Sequence, residues 1–219
     1  MNNDALAHWA EAWLAHVRGP GNEPAPPDPP GAPPQARIAL AWALKRQADL
    51  HWAGNAVRTR DCVRAVRMLA EVTDDPAACL TLATLNDWAM GVEALMAGHP
   101  GKASAHFLSA AEALDRLALP EAAAEGRVPP SAALALTGQH DEAAHCAALA
   151  LPRLQAAGDA RGAGKVHLNL ASMRMRQDLY AEAAEGYRRA AVWFARADEP
   201  THSIMADIGL AAALTGLQD

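Results

Sequence analysis

Three stretches of the chain decide its fold: GHPGKASAHFLSAAEAL (98–114), GQHDEAAHCAALALPRL (138–154) and QDLYAEAAEGYRRAAVWF (177–194). Small residues recur in them every 40 residues, at Ala103, Ala143 and Ala183 and, seven positions later, at Ala110, Ala150 and Ala190. Two small residues seven apart lie on one face of a helix, where a neighbouring helix can approach closely. A fixed period of this length predicts an α-solenoid, in which helix pairs stack in succession.

The stretch LNLASMRMRQDLYAEAAEGYRRAAVWF (168–194) resembles a tetratricopeptide repeat (TPR). The matching positions are Leu170 and Ala171 for the Leu-Gly pair of its first helix, Tyr180 for the turn tyrosine, and Ala183, Tyr187 and Ala190 for the second-helix Ala, aromatic and Ala. The standard repeat has about 34 residues. The longer period here is similar to the variety found in large bacterial signalling proteins. The order of units is similar to the N-terminal arrays of bacterial proteins that end in a caspase-like CHAT protease domain, although these 219 residues contain no protease domain.

Composition favours helix throughout. Hydrophobic residues make up 51% of the chain, much of it alanine and leucine, whereas aromatic residues make up only 5%. The formal charge of −6 would repel a phosphate backbone or an anionic lipid surface, so we expect neither nucleic acid nor membrane as the main partner. The three cysteines are scattered and odd in number, which is typical of free thiols in a reducing cytoplasm. We therefore expect an all-α cytoplasmic protein.

The sequence divides into three parts. Residues 1–18 predict an amphipathic helix, because Leu6, Trp9, Trp13 and Val17 follow one another at helical spacing. Residues 19–35 hold eight of the fifteen prolines, which predicts a semi-rigid linker. Residues 36–219 predict a right-handed α-solenoid of TPR-like helix pairs.

Nine helices are predicted in this third part, at 36–53, 57–73, 76–97, 100–118, 121–137, 140–157, 160–177, 180–197 and 201–217. Pro129 and Pro130 interrupt one of them. Because the 40-residue period continues on both sides, we expect a kink there or a helix that restarts at Pro130.

The TPR resemblance implies that the first helix of each pair lines a groove that binds a protein or peptide. Transferred position by position, the groove residues are Leu85, Trp88, Val92, Leu95, Met96, Val128, Ala132, Ala135, Leu136, Lys165, Leu168, Ser172, Met175 and Arg176. Such a surface, apolar with a basic edge, suits an amphipathic helix or an apolar peptide. The alternative is that Leu85, Trp88 and Leu95 belong to the ordinary core between helices. Trp42, Trp52 and Trp193 are also expected in helix-pair cores.

The two ends of the chain each leave two interpretations open. The N-terminal helix is expected to dock by its apolar side on its own array or on a dimer partner, or alternatively to cap the first helix pair. Near the C-terminus, Ile204, Met205, Ile208, Leu210, Leu214 and Leu217 surround a helix with few charges. A terminal repeat needs a polar outer face. We therefore expect either a further helix of a longer protein on this face or self-association through it.

No pattern points to catalysis, a cofactor or a metal. The chain lacks GxSxG, HExxH and a phosphate-binding glycine loop. His140 and His145 are five residues apart and point to different sides of one helix, and a zinc site with Asp141 and Cys146 is therefore disfavoured. A run of Arg60, Arg64 and Arg67 on one helix face could bind phosphate or an acidic strip, but such a run is more often a solvated face.

The leading hypothesis is a non-catalytic protein-binding scaffold, the regulatory TPR region of a larger bacterial signalling or CHAT-type protease protein. Two alternatives remain. One is a self-associating adaptor whose groove holds its own N-terminal helix. The other is a peptide or small-ligand receptor that controls transcription.

Overall fold

The computed structural model describes residues 2–19, 24–30, 32–33, 35–52 and 54–218, with Ala77 described by its backbone only. Within these residues every regular element is a helix, so the all-α prediction is confirmed. The chain forms two compact units, residues 1–97 and 98–219. No described helix combines the length and the apolar character needed to cross a lipid bilayer.

Unit 1 contains four helices: α1 (Asn3–Arg18), α2 (Ala36–His51), α3 (Ala56–Glu71) and α4 (Pro76–Met96). Helices α2 and α3 pack together as a pair, and α4 packs on both of them. Helix α1 lies against α2 and α3. Leu40, Leu44, Val63, Val66 and Leu69 are fully buried in this unit.

Unit 2 contains α5 (Pro100–Arg116), α6 (Pro120–Gly126), α7 (Val128–Leu136), α8 (His140–Ala156), α9 (Ala160–Met175), α10 (Tyr180–Arg196) and α11 (Pro200–Gly216). Helix α7 lies beside α9, and α9 lies beside α11. Helix α5 packs on α7, α8 packs on α9, and α10 packs on α11. Helix pairs therefore stack in chain order within this unit. The handedness of the array stays a prediction.

A left-handed backbone residue precedes each long segment of unit 2. Among the described residues, positive φ occurs at 20-residue intervals, at Gly98, Ala118, Gly138, Gly158, Asp178 and Asp198, with φ between 53° and 79°. At five of these turns, the next residue's amide N–H donates to the carbonyl five residues earlier, at 2.9–3.0 Å. This Schellman arrangement satisfies carbonyls that a helix end leaves without a partner. Each turn thus closes one helix and starts the next within three residues.

The recurring alanines lie where helices meet. All six, at positions 103, 110, 143, 150, 183 and 190, are buried, with at most 2% of their surface exposed. Glycine serves the same purpose on α9, since a Cβ at Gly164 would lie 2.7 Å from the ring of Phe194 on α10. The close approach predicted from the alanine period is therefore present within unit 2.

The two prolines break one helix, as the sequence predicts. Pro129 and Pro130 have no amide N–H to continue the helical hydrogen bonds, so α6 ends at Gly126 and α7 restarts at Val128. The Arg127 side chain compensates by donating to the carbonyl of Ala123 at 3.2 Å and to the Asp115 carboxylate at 2.5 Å. The new helix begins two residues before the expected Pro130.

The same carboxylate connects a third helix. Arg153 of α8 donates to the second oxygen of Asp115 at 2.9 Å. Burial alone would raise the pKa of Asp115, but the hydrogen bonds from Arg127 and Arg153 outweigh it, and the pKa is lowered. The carboxylate therefore joins α5 to the broken helix and to α8.

Ala118 gives a test of the turn period. A non-glycine residue at φ 56° carries a steric cost that glycine avoids. Replacing Ala118 with Gly should raise the free energy of unfolding by about 0.5–1 kcal/mol, measured by urea denaturation. The same change at exposed Ala148, inside α8, should lower it by about 1 kcal/mol. Equal destabilisation by both variants would contradict this account of the turn.

Candidate functional site

The groove residues predicted on α4 lie mostly in the core of unit 1. Leu85, Trp88 and Val92 are buried, with 1–4% of their surface exposed, whereas Leu95 and Met96 are half-buried. The Trp88 ring lies 5.3 Å from the ammonium nitrogen of Lys45 on α2, at a distance typical of a cation–π contact. The assignment of Leu85, Trp88 and Val92 to an open groove is therefore corrected, because neighbouring side chains already cover them.

In unit 2 the predicted residues divide between core and surface. Val128, at 8% exposure, is buried together with Ala135, whereas Leu136 is 55% exposed at the end of α7. The Asn169 amide on α9 donates to the Val128 carbonyl at 3.2 Å and to the Ser131 hydroxyl at 3.1 Å. These hydrogen bonds hold α7 and α9 side by side. Val128 is thereby corrected from a groove residue to a core residue.

Apart from Ala132, which is half-buried on α7, the remaining predicted positions of unit 2 form what we call the α7–α9 face: Leu136, Lys165, Leu168, Ser172, Met175 and Arg176. Leu136 and Arg176 are exposed, and the other four are half-buried. Leu168 and Met175 also pack against the buried clusters that α9 shares with α10 and α11. The Ser172 hydroxyl lies 3.2 Å from the Tyr187 hydroxyl. The face therefore offers a partly exposed apolar strip with two cationic side chains.

A concavity that was not predicted from the sequence lies between α9 and α10. This α9–α10 crevice has a volume of about 470 Å³ and is lined by His167, Leu170, Ala171, Arg174, Ala181, Glu182, Glu185, Gly186 and Arg189. Its charges are paired: Arg174 with Glu182 at 3.1 Å, and Arg189 with Glu185 at 3.0 Å. Only the second pair, four residues apart on one helix, was visible as a pattern in the sequence.

Two histidines near this region are buried. Burial lowers the pKa of His167, and the guanidinium of Arg189 lowers it further. Burial also lowers the pKa of His202, against the opposing effect of the Glu199 carboxylate, which lies 3.0 Å from its Nδ1 atom. The His202 ring stacks on Phe194 with a centroid distance of 5.0 Å. Packing within unit 2 therefore favours the neutral form of both imidazoles.

Helix α1 places its predicted docking residues against unit 1. Trp9, Trp13 and Val17 are buried, and Leu6 is half-buried. At the edges of α1, Arg18 donates to Asp61 of α3 at 2.6 Å, and Glu11 forms an ion pair with Arg58, also of α3. The position of α1 is compatible with two of the predictions made from the sequence: that α1 docks on its own array, and that it caps the first helix pair.

The buried indole nitrogens of α1 lack an acceptor among the described residues. The Nε1 atoms of Trp9 and Trp13 have no hydrogen-bond partner in the described part of the chain. A buried donor without a partner costs about 1–3 kcal/mol. The docking of α1 is therefore driven by apolar packing rather than by its polar contacts.

The linker of residues 19–35 is described only in part, and positions 20–23, 31 and 34 lie outside the described residues. Its Asp28 carboxylate accepts from Arg37 of α2 at 2.9 Å. Arg37 also donates to the carbonyl of Val72 at 2.9 Å. This part of the linker is therefore fastened to unit 1.

The other candidate clusters show little convergence. Among the described residues, no group of three or more His, Cys, Asp or Glu side chains is placed to hold a metal ion. In the arginine run, Arg67 pairs with Glu93 at 2.6 Å, while Arg60 and Arg64 are exposed. The expectation that Trp52 lies in a core is wrong, because it is 42% exposed at the end of α2.

The role of α1 can be tested at Trp13, which is 1% exposed. Replacing it with Ala should lower the free energy of unfolding of unit 1 by about 3–5 kcal/mol, because a large buried ring is lost. Replacing it with Phe should cost less than half as much, since the unpartnered N–H disappears and most of the packing remains. Urea denaturation followed by circular dichroism measures both. An equal loss for the two variants would contradict packing as the driving force.

The buried histidines predict a pH dependence. Their pKa values are lower in the folded chain than the ordinary value of about 6.5, so the unfolded chain binds more protons below that pH. The melting temperature should therefore decrease as the pH falls from about 8 through about 6.5 towards 5.5. The His202→Gln variant should show a shallower decrease, and the His145→Gln variant, changed at an exposed position, should match the parent. A parallel decrease in all three proteins would contradict this cause.

Comparisons with known proteins inform the fold alone. No family model matches the chain, and no curated protein matches it. One similar solved structure is described as the crystal structure of BtubC (BKLC) from P. vanneervenii. It is 16% identical and aligns with a TM-score of 0.62 over 99% of this chain and 84% of that chain. The similarity supports an all-helical fold and carries no statement of activity.

Proposed function

We propose that this chain is a non-catalytic scaffold that binds a protein or peptide on the α7–α9 face of unit 2. The observation that carries the proposal is the 20-residue recurrence of left-handed turns. It spaces the helical segments of unit 2 evenly along the chain, so that α7, although shorter than α9, lies beside α9 in the same 40-residue register. Repeating helix pairs of this kind provide extended binding surfaces.

The chemistry of the face favours an amphipathic helix as ligand. Leu136 contributes an exposed apolar side chain, and Met175 continues the apolar strip while half-buried. Methionine adapts its shape to different apolar partners. The exposed Arg176 borders the strip, so an acidic residue on one edge of the ligand helix would complement the face. The α9–α10 crevice is a weaker candidate, because its arginines and glutamates already neutralise each other.

The TPR resemblance of residues 168–194 supports the same proposal. By that resemblance, the scaffold holds or releases a partner or an attached effector domain when a helix enters the face. The effector would belong to a larger bacterial signalling protein, with a CHAT-type protease as the example that the order of the repeats suggests. Catalysis would then be supplied by the effector and not by these residues.

A matched pair of surface variants tests the proposal. Leu136→Glu combined with Arg176→Glu places two acidic groups on the α7–α9 face, at exposed positions. Val192→Glu places one on α10, at a residue 52% exposed outside this face. Each purified protein is immobilised, and captured host proteins are quantified by mass spectrometry. A specific partner should be retained by the parent and by Val192→Glu, and lost at least about tenfold from the double variant.

The melting temperatures of the three proteins serve as the folding control and should agree closely, because all three positions are exposed. The proposal fails if no host protein is depleted by the double variant, or if Val192→Glu depletes the same protein equally. A partner that passes this test is then purified and titrated against the three proteins by calorimetry. Binding of an isolated helical segment of that partner would establish the ligand class.

A further inference from the structure

Helices α9 and α11 occupy equivalent positions, 40 residues apart, and they differ in what covers them. Each packs on the preceding helix by the same side. On α9, Val166 and Met173 belong to clusters that include α8 residues. The equivalent Ala206 and Ala213 of α11 belong to clusters that include α10 residues. The two helices therefore share one register within unit 2.

The opposite side of α9 is covered by α10. Gly164 lies so close to the Phe194 ring that a Cβ would clash, and Ala171 lies directly against Gly186. Leu168, between them, packs into the clusters of Phe194 and Tyr187. These three positions of α9 thus form its receiving side for a helix.

On α11 the same three positions are exposed. They are Ile204, Ile208 and Ala211, and the two isoleucines are 59% and 65% exposed. Met205, beside them, is 46% exposed. We call Ile204, Ile208, Ala211 and Ala212 the α11 face. It is a helix-receiving side without a helix among the described residues, and leaving it in water forgoes the free energy of burying its side chains.

The size pattern of this face indicates what fits it. Its first half carries isoleucines at 204 and 208, and its second half carries alanines at 211 and 212. In an antiparallel pair of such faces centred near Ile208, Ile204 of one copy lies opposite Ala211 and Ala212 of the other. Large side chains then meet small ones at both ends, as close helix packing requires.

A helix like α10 fits less well. On α9 it places Phe194 over Gly164, whereas α11 has Ile204 at that position. Charge also permits self-pairing, since Asp207 is the only acidic or basic residue of α11 besides His202. Two copies therefore meet without a row of like charges.

We propose that a second copy of this chain covers the α11 face, forming a two-fold symmetric dimer in which the two α11 helices pack antiparallel. A two-fold interface uses the same patch on both copies, which the large-to-small pattern allows. The proposal goes beyond partner binding on the α7–α9 face and does not depend on it. It makes the scaffold bivalent, since each dimer carries two α7–α9 faces.

Sedimentation equilibrium of the full chain tests the dimer, over concentrations from about 1 to 200 μM. The parent should show reversible dimerisation in this range. Ile208→Glu, which places two carboxylates next to the two-fold axis, should raise the dissociation constant at least about 100-fold. Leu50→Glu is the matched control, because Leu50 of α2 is 60% exposed and lies outside the face. It should leave the constant unchanged.

A parent protein that stays monomeric at all concentrations overturns the proposal, and so does an equal effect of the two glutamate variants. Such a monomer would leave the face to a helix other than α11 of a second copy. The monomer of Ile208→Glu should keep its helical circular dichroism, which shows that loss of the dimer is not loss of the fold.

Cysteine cross-linking tests the antiparallel geometry. The exposed Cys79 is first replaced with Ser, while the buried Cys62 and Cys146 remain. One preparation carries Ile204→Cys and another carries Ala211→Cys. Mild oxidation should join the two proteins when they are mixed, and each alone should cross-link much less. Efficient cross-linking of Ile204→Cys with itself would instead indicate a parallel pair and contradict the proposal.

Discussion

The left-handed residue that precedes each helical segment of unit 2 is the constraint on which the rest of this unit depends. Because it recurs every 20 residues, the chain reverses direction at regular points, and all helices of the unit except α6 and α7 have 16 or 17 residues. The hydrogen bond across each turn closes the carbonyl end of one helix, and the following residue starts the next. This regular spacing brings the buried alanines of successive pairs to equivalent positions, so that close packing repeats along the unit.

The sequence predicts the helices well because their signals are local and repeated. The predicted boundaries lie within two residues of the observed ones apart from the segment broken at Arg127. The 20-residue turn period was missed because different residues occupy its positions, namely glycine, alanine and aspartate. Aspartate and glycine both tolerate the left-handed conformation, whereas alanine at position 118 gives no sign of it in the sequence.

The candidate site was harder to predict, because an apolar stripe on a helix has the same spacing in a core and in a groove. Leu85 and Val128 are buried, whereas Leu136 is exposed, and their residue types do not separate the two cases. What decides them is the neighbouring helix, such as the pairing of α7 with α9 through Asn169. The α9–α10 crevice depends on the contact of Gly186 with Ala171, which joins residues of different helices and leaves no periodic trace.

The break in the helix at Arg127 also distinguishes the segment that contains α6 and α7 from the other helical segments of unit 2. Segments 140–156 with 160–175 and 180–196 with 200–216 each begin after a left-handed turn and share one 40-residue register. Unequal recombination between their coding regions would therefore insert or remove one whole pair and leave both junctions intact. Arg127 is paired with Asp115 before it, and Asp115 is also paired with Arg153 after it, so a copy of this segment alone would separate the Arg127 guanidinium from its carboxylate. Growth or shortening of this protein during evolution would accordingly occur on the C-terminal side of that segment.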